Sequence, residues 1–435
     1  MSKYTFTVNN YHAIEKAEIV LDGITVLSGE NGSGKSTLSR WLYYVVKATN
    51  EYEQYVDKEA ITEVKILLDK IRRASMIMGI KRTLTTSYYR IIEELNEIGH
   101  VDLFREKYHE LIFSFINSLN EYFSHDSQWD EMQRLASYFK LGIEKEENFN
   151  QIIGRISDKL YSDYEKIIHD TIEAKRRRDH EALADTIANF ANSGDDGKID
   201  ISLQEGKVNL LDKNEFKAPL TLNRAIYYGT QRTMNSLEDS SDFYKLLKKP
   251  IGDLPKEAQV IKMRIRQIMN GTISLKKDDF IIFNEPELHY QRKDGLTIPL
   301  KQAATGLISF ACLSRLLENG YLTQDTLLII DEPEAHLHPQ WIVEYARILV
   351  LLNKLVGMKI LISSHNPDMV SAIQSIARKE GTLSSTNFYL AQKNNLNEMK
   401  YTYENLGTDI GKIFESFNIA LSRIQMYGTN DNESR

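Results

Sequence analysis

The sequence predicts an α/β protein in which a core of parallel strands lies beside a mixed β-lobe and is interrupted by an inserted helical lobe. Three observations predict this class. A β-branched strand, a glycine-rich loop and a helical pattern follow one another over residues 23–46. Two further apolar runs, 327–332 and 358–365, end in polar side chains, which is typical of parallel strands that deliver residues to one sheet edge. Residues 47–198 instead alternate apolar and charged residues at helical spacing.

The composition is that of a globular chain. With 435 residues, of which 42% are hydrophobic and 26% charged, the chain is long enough for two or three structural units. Its net charge of −7 argues against a protein coated by nucleic acid but is compatible with one basic groove. Cys312 is the only cysteine, which excludes an intrachain disulfide and a thiol-rich metal site and fits a reducing compartment. We interpret Cys312 as a small buried residue.

Neither the first residues nor the later apolar segments of the sequence indicate a membrane protein. The first residues contain no basic patch followed by an apolar core, so we expect no signal peptide. The most apolar later stretch, 348–362, is interrupted by Asn353, Lys354 and Lys359 and is too mixed to span a bilayer. We therefore expect a cytoplasmic protein without membrane contact.

Two predicted strands precede the glycine-rich loop. The segment KAEIVLDGITVL at 16–27 contains two strand-like runs that are joined by Asp22-Gly23. This dipeptide favours a hairpin turn with positive φ. We therefore predict an antiparallel β-lobe beside the core of parallel strands.

The loop that follows reads GENGSGKS and matches the phosphate-loop pattern GxxxxGK[ST] between a strand and a helix. Glycines let backbone N–H groups turn toward phosphate oxygens, and the following helix adds its positive N-terminal end. Lys35 reaches the β- and γ-phosphates, and the Ser36 hydroxyl ligates Mg²⁺. The predicted binding residues for a nucleoside triphosphate are Gly29, Glu30, Asn31, Gly32, Ser33, Gly34, Lys35, Ser36 and Thr37.

Glu-Pro-Glu follows an apolar run twice, and the residue directly before it differs between the two copies. A strand that serves the phosphate site must place one acid near Mg²⁺ and a base near the attacking water. The later segment, TLLIIDE, supplies both as Asp331 and Glu332. In the earlier segment, 280–300, Asn284 replaces the first acid and a Lys-Asp-Gly turn leads into a second short strand. We interpret the earlier segment as a β-hairpin outside the catalytic site.

Two further polar residues end predicted strands. His365 ends an apolar strand soon after Asp331 and Glu332, at the edge where open α/β sheets bind ligands. A lone histidine is more often structural, but this position favours a contact with the γ-phosphate. The strand AIYYG at 225–229 leads to Gln231, a candidate for the metal and the attacking water.

The order of the motifs GENGSGKS, YYGTQR, AATGL, DEPEAHLHP and SSHNPD resembles the ABC-type ATPases of the RecF, SMC and OLD group. EPEAHLHP followed by a strand that ends in SSH is especially similar to compact members of prokaryotic genome maintenance and anti-phage defence, such as the Septu-like systems. The resemblance covers residues 1–45 and 205–405. It implies an ABC-type P-loop ATPase head, with ATP and Mg²⁺ as ligands.

The resemblance also implies roles at the matching positions. Ser36, Asp331 and Gln231 would hold Mg²⁺, and Gln231 would couple the metal to the helical region. Glu332 would polarise the attacking water, and His365 would sense the γ-phosphate. Gln231 therefore belongs to both the catalytic and the metal set.

Members of this group act as head-to-tail dimers in which the signature segment of one chain completes the ATP site of the other. The corresponding residues here are Ala304, Thr305 and Gly306. Ala304 stands where the family has a serine, so we expect slow turnover. Thr305 and the N–H groups at the helix start can still bind the γ-phosphate, because a helix N-terminus is an anion site.

The chain is predicted to divide into a head, 1–46 with 199–435, and a helical lobe, 47–198. The lobe lacks sustained heptads, which excludes the long arm of an SMC protein. Its basic run 175–178 and the pair Arg72-Arg73 are usually a solvated helix face, but they keep contact with DNA or RNA possible.

After His365, residues 387–404 are predicted as a last hairpin and 408–425 as a helix. The nuclease domain of the larger members, with its Glu and Asp-x-Asp set, has no counterpart there, so we expect no intrinsic nuclease activity.

Three functions remain open at this point. The first is an ATP-hydrolysing regulatory subunit of an anti-phage defence complex, which controls a separate effector such as a nuclease through a homodimer or higher homo-oligomer. The second is a DNA-repair or DNA-clamp ATPase similar to RecF. The third is a sensor that binds ATP without hydrolysing it. The acidic balance and the compact lobe favour the first, whereas an ATP-dependent, salt-sensitive affinity for duplex DNA would favour the second.

Overall fold

The computed structural model describes residues 2–79, 83–123, 129–144, 147–191, 200–212, 215–229, 242–254, 256–276, 286–394 and 397–415. The chain forms two compact units, one made of Met1–Asn50 with Ile187–Arg435 and the other of Glu51–Thr186. Both boundaries fall inside helices, where the helical spacing of apolar and charged residues continues, so the sequence does not mark them. The prediction had placed the helical lobe at 47–198.

Thirteen strands occur in the described part of the chain. They are β1 (Tyr4–Tyr11), β2 (Ile14–Leu21), β3 (Ile24–Ser28), β4 (Asp200–Glu205), β5 (Val208–Asn209), β6 (Arg224–Gly229), β7 (Gly271–Lys276), β8 (Glu287–Arg292), β9 (Thr297–Pro299), β10 (Thr326–Asp331), β11 (Lys359–Ser363), β12 (Thr386–Asn394) and β13 (Asn397–Gly407).

Eleven α-helices accompany them in the same residues. They are α1 (Lys35–Ile77), α2 (Thr83–Ile98), α3 (Arg105–Tyr122), α4 (Trp129–Tyr138), α5 (Phe149–Arg176), α6 (His180–Ala191), α7 (Asp242–Lys248), α8 (Gln259–Met269), α9 (Thr305–Glu318), α10 (Pro339–Leu351) and α11 (Pro367–Glu380).

The main sheet of the first unit has the order β5-β4-β1-β2-β13-β12-β3-β11-β10-β6. Strands β12, β3, β11, β10 and β6 pair in parallel, whereas β4, β1 and β2 pair antiparallel at the other end. Every residue of β3, β10 and β11 is buried, as expected for parallel strands covered on both faces. The predicted class, a mixed β-lobe joined to a parallel-sheet core, is confirmed.

The predicted hairpin at Asp22-Gly23 is wrong. The two strands exist, but β2 pairs with β1 and β13, while β3 pairs with β11 and β12. Gly23 does not have positive φ; a Cβ there would lie 2.6 Å from the Ser385 carbonyl oxygen, so glycine permits a close backbone approach. The first hairpin is instead β1–β2, with Asn10 and His12 in the left-handed region.

Three further antiparallel pairings occur, and two of them, β8–β9 and β12–β13, confirm predicted hairpins. Strands β4 and β5 pair antiparallel, as do β12 and β13. Strands β8 and β9, from the first Glu-Pro-Glu segment, pair with each other, and β8 also pairs with β7 in a separate three-stranded antiparallel sheet. Of the helix predicted at 408–425, residues 411–415 are helical, residues 408–410 are not, and residues 416–425 lie outside the described residues.

The apolar core of the first unit lies between the parallel strands and helices α8 to α11. The largest fully buried side chains there include Phe310, Tyr345 and Phe388. Phe310 and Tyr345 make an edge-to-face contact at 5.2 Å between ring centroids. This packing fixes the helices behind the sheet edge that carries the polar residues described below.

The second unit is helical, as the spacing of apolar residues predicted. Its core contains Phe104, Tyr108, Phe115 and Tyr164, and the rings of Tyr108 and Tyr164 stack at 4.0 Å between centroids. Helix α5 begins with a capping box, in which Asn148 is the N-cap residue. None of the helices within the described residues is long and apolar enough to cross a membrane.

Candidate active site

The glycine-rich loop connects β3 directly to α1. Gly32 and Gly34 adopt φ of 82° and 92°, a region that side chains with a Cβ disfavour. A Cβ on Gly34 would also lie 2.7 Å from Ile14 Cγ1. From β13, the Tyr403 hydroxyl donates a hydrogen bond to the Ser33 carbonyl at 3.2 Å. The loop is therefore held in a tight turn by neighbouring strands of the same sheet.

Lys35 is almost completely buried at the start of α1. Its Nζ donates hydrogen bonds to the carbonyl oxygens of Gly29 and Glu30, each at 2.8 Å. Burial lowers the pKa of Lys35, and the charges of Glu332 and Asp331 counteract this effect. The loop thus holds a cation at its centre, facing carboxylates from β10.

A cavity of about 470 Å³ opens over the loop. Six of the residues predicted to bind the nucleotide line it, namely Asn31, Gly32, Gly34, Lys35, Ser36 and Thr37. Glu332 lines the same cavity, together with His12 and Ala13 from the β1–β2 turn. Sequence reasoning missed His12 and Ala13, because their position depends on the strand pairing that was predicted incorrectly.

The other predicted loop residues have contacts of their own. Glu30 forms an ion pair with Lys393 at 2.8 Å between Oε2 and Nζ. Ser33 is buried, and its N–H donates to the Glu30 carbonyl at 3.3 Å. These contacts stabilise the loop.

Asp331 ends β10 and is buried. It is level with Ser363 of β11 and Gly229 of β6, so the carboxyl ends of three parallel strands meet there. Tyr227 donates a hydrogen bond from its hydroxyl to Asp331 Oδ2 at 3.1 Å. The carboxylate is thereby held at the sheet edge that faces Lys35.

Glu332 follows Asp331 with φ of 52°, which is unusual for a residue other than glycine. Its N–H donates to the Ser363 carbonyl at 2.8 Å, which stabilises this conformation. Left-handed backbone at such a position is often found at functional sites. The turn directs the Glu332 side chain to the cavity instead of continuing the strand.

His365 lies beside Glu332, as their strand-end positions predicted. His365 Nδ1 is 3.4 Å from Glu332 Oε1 and 3.5 Å from Glu334 Oε1. The imidazole is partly exposed, whereas the Glu334 carboxylate is buried. Sequence reasoning singled out the first two residues but not Glu334.

The signature-like residues stand apart from this cavity within one chain. Thr305 begins α9, and Ala304 precedes it as an N-cap residue without a side-chain hydrogen bond. Gly306 is buried, and a Cβ there would lie 3.0 Å from a Leu337 methyl group. These three residues are not among those that line the cavity over the loop.

Two predicted features fall on residues that are not described. Gln231 lies outside the described residues, as do Asn284 and Glu285 of the first Glu-Pro-Glu segment. Glu287, the second acid of that segment, begins β8 and pairs with Lys301 at 2.7 Å. The hairpin interpretation of this segment is confirmed by the β8–β9 pairing.

The basic run of the helical unit is paired with carboxylates along its whole length. Lys175 contacts Asp57 at 2.6 Å, Arg176 contacts Glu173 at 2.9 Å, Arg177 contacts Asp179 at 2.6 Å, and Arg178 pairs with Glu53. Arg72 and Arg73 share Asp69 in the same way. Local acids therefore compensate these cations, which weakens the case for a nucleic-acid surface here.

The family model of the AAA ATPase domain matches residues 3–370. No curated protein sequence matches the chain. An Smc head domain with an extended coiled coil bound to the C-terminal domain of ScpA, from Pyrococcus furiosus, is 10% identical with a TM-score of 0.36, over 98% of this chain and 100% of that chain. The SMC head domain from Thermotoga maritima is 9% identical with a TM-score of 0.35, over 93% and 99%.

Proposed function

The chain belongs to the AAA ATPase domain family, and we propose that it binds ATP with Mg²⁺ over the loop 29–37 and hydrolyses it with Glu332 as the general base. One observation carries the proposal: Lys35, Ser36 and Glu332 line a single cavity, although they come from elements far apart in the chain. A phosphate-binding lysine and a carboxylate base are the two groups that phosphoryl transfer to water requires there.

The residues present fit ATP and Mg²⁺. The loop backbone and the start of α1 provide N–H groups for phosphate oxygens, and the buried Lys35 ammonium adds a positive charge. Ser36 and Asp331 provide oxygen ligands of the kind that Mg²⁺ prefers. When bound, Mg²⁺ would neutralise charge on the β- and γ-phosphate oxygens.

The residues around the cavity have distinct tasks in this proposal. Glu332 accepts a proton from the attacking water, and its backbone turn keeps the carboxylate at the cavity. His365, next to Glu332, contacts the γ-phosphate from the same side. Lys35 stabilises the negative charge that is shared by the phosphate oxygens.

We further propose that the chain is a regulatory subunit in prokaryotic anti-phage defence and controls a separate effector such as a nuclease. The motif EPEAHLHP with the following SSH strand supports this role by resemblance. The proposal assigns any nuclease activity to that separate effector.

A homodimer with ATP between the subunits belongs to the same proposal. Thr305 at the start of α9 is half-buried, and Ala304 before it is exposed, so a second copy can reach both. In the dimer they would complete the partner's ATP site. Ala304 lacks the hydroxyl of the usual serine, which favours slow turnover and supports a sensor as the second candidate.

The test is steady-state ATP turnover by the purified chain, with Glu332→Gln and the control Glu287→Gln beside it and with duplex DNA in half the samples. We expect slow, Mg²⁺-dependent turnover that Glu332→Gln lowers by about a hundredfold or more while ATP binding persists. Glu287→Gln should leave turnover unchanged, because Glu287 lies in the separate β7–β9 sheet. Tight ATP binding without turnover would favour the sensor, and stimulation by DNA would favour a RecF-like clamp.

A further inference from the structure

Glu334 is a buried carboxylate with an unusual set of contacts. Its Oε1 accepts a hydrogen bond from the Ser364 hydroxyl at 2.8 Å and another from the His365 N–H at 3.1 Å. The same oxygen lies 3.5 Å from His365 Nδ1. Two donor groups of consecutive residues therefore converge on one oxygen of Glu334, and the His365 ring lies beside the same oxygen.

This arrangement is costly for a purely structural residue. The Glu334 side chain is 4% exposed, and its Oε2 has no hydrogen-bond partner among the described residues. Burial raises the pKa of Glu334, which shows that its surroundings disfavour the charge. A glutamine would satisfy the Ser364 and His365 donors without a buried charge, so the contacts with the backbone do not account for a carboxylate.

The position of the His365 ring explains why residue 334 is a carboxylate. Glu332 Oε1 and Glu334 Oε1 approach the same ring nitrogen, Nδ1, at 3.4 Å and 3.5 Å. An ionised carboxylate only accepts hydrogen bonds, so two such neighbours favour the tautomer with a proton on Nδ1. Nε2 then carries the lone pair, and only the imidazolium, with protons on both nitrogens, donates from Nε2 to a phosphate oxygen.

We propose that Glu334 is a positioning residue for ATP hydrolysis: it fixes the orientation and tautomer of His365 and thereby keeps that ring beside Glu332. This inference rests on the proposed function of the site. Glu334 acts through His365 and does not touch the nucleotide. Its part resembles that of any carboxylate that orients a histidine from behind.

The test compares Glu334→Gln with the wild-type chain. Glutamine keeps an acceptor for Ser364 and the His365 N–H but removes the charge that faces Nδ1. We expect kcat to fall by about tenfold or more. We expect the KM for ATP to stay within about threefold. The melting temperature should be unchanged or higher, because a buried charge is removed.

A double-mutant cycle with His365→Asn separates positioning from a general structural effect. In the His365→Asn background, Glu334→Gln should lower kcat no further, since the ring that it positions is absent. An equal loss in both backgrounds, or wild-type kcat in the single variant, would overturn the proposal.

A measurement without turnover distinguishes this inference from the proposed function. Long-range ¹H–¹⁵N spectra of the ATP-free protein report the tautomer of each histidine, and His365→Asn assigns the relevant signal. We expect a protonated Nδ1 in the wild type and a shift toward the other tautomer in Glu334→Gln. An unchanged His365 signal refutes the inference even if hydrolysis is found, and the shift supports it even if the chain does not hydrolyse ATP.

Discussion

The Tyr227 hydroxyl donates a hydrogen bond to Asp331 Oδ2 across the neighbouring strands β6 and β10. Burial raises the pKa of the Tyr227 phenol, and the nearby charge of Asp331 raises it further. The phenol therefore stays protonated and remains a donor at neutral pH. Asp331 is in this way held in one orientation before any metal arrives.

We predict that Tyr227→Phe lowers the free energy of unfolding by about 1 kcal/mol, because one hydrogen bond to a buried carboxylate is lost. It should also raise the Mg²⁺ concentration for half-maximal ATP turnover by about tenfold, as the loss of a group that orients a metal ligand does. Both quantities follow from chemical denaturation and a Mg²⁺ titration.

Tyr321→Phe is the matched control, since Tyr321 donates to the Lys249 carbonyl at 3.0 Å away from the site. It should cost similar stability and leave the Mg²⁺ dependence unchanged. If both variants shift the Mg²⁺ titration equally, Tyr227 has no special relation to the metal site.

The second prediction concerns Gly34, where conformation and space both exclude a side chain. Gly34→Ala places a Cβ 2.7 Å from Ile14 Cγ1 on a residue with φ of 92°. We expect a loss of about 1–3 kcal/mol in stability. The loop must shift to relieve the clash, so ATP binding by calorimetry should weaken as well.

Gly154→Ala provides the opposite case. Gly154 lies inside α5 with nothing within 4 Å of the added Cβ, and its φ is not positive. We expect a gain of up to about 1 kcal/mol, because alanine favours a helix over glycine. If, in contrast, Gly34→Ala binds ATP with the affinity of the wild type, the structural account of the loop is contradicted.

The third prediction tests the basic run 175–178. Because each of its cations has a carboxylate partner, we expect the triple change of Arg176, Arg177 and Arg178 to Gln to alter duplex DNA affinity by less than about twofold. Affinity is measured by fluorescence anisotropy over a salt titration with ATP present. A loss of about tenfold with a shallower salt dependence would show that these residues contact phosphates and would favour the clamp.

The sheet edge with Asp331, Glu332 and His365 could be predicted from the sequence for a simple reason. Strands β10 and β11 are buried on both faces and therefore read as continuous apolar runs. Where such runs end, polar side chains mark the carboxyl edge of a parallel sheet. The pattern is local, so no knowledge of distant pairing was needed.

The pairing of the strands within the β-lobe could not be predicted in this way. Strand β13 pairs with β2, so residues near the two ends of the chain lie side by side, as Tyr401 and Ile14 do. Pairing over such a separation leaves no local signal, and Asp22-Gly23 imitated a hairpin turn because glycine was needed there for a close approach. The position of His12 at the cavity was missed for the same reason.

Glu334 illustrates a different limit. Its chemistry depends on burial and on the donors of Ser364 and His365, which the sequence does not display. In the later Glu-Pro-Glu, sequence reasoning singled out the acid before the proline, Glu332, which lines the cavity. Both segments have a glutamate after the proline, but Glu287 pairs with Lys301 near the surface, whereas Glu334 is buried.

The last prediction uses Cys312, the only cysteine of the chain, as a probe of the core. Its side chain is buried in α9, as expected from the sequence, and burial raises the pKa of its thiol to about 12. A thiol reagent attacks the thiolate, so native protein should stay unlabelled at pH 8 and react with one equivalent after denaturation. The free energy of unfolding should fall above about pH 9, because the unfolded state then releases a proton that the folded state keeps until about pH 12. The decrease should be up to about 1.4 kcal/mol per pH unit. Cys312→Ala should lack this part of the pH dependence in parallel denaturation curves at pH 8 and 10, and rapid labelling of the native chain would contradict the packing of α9.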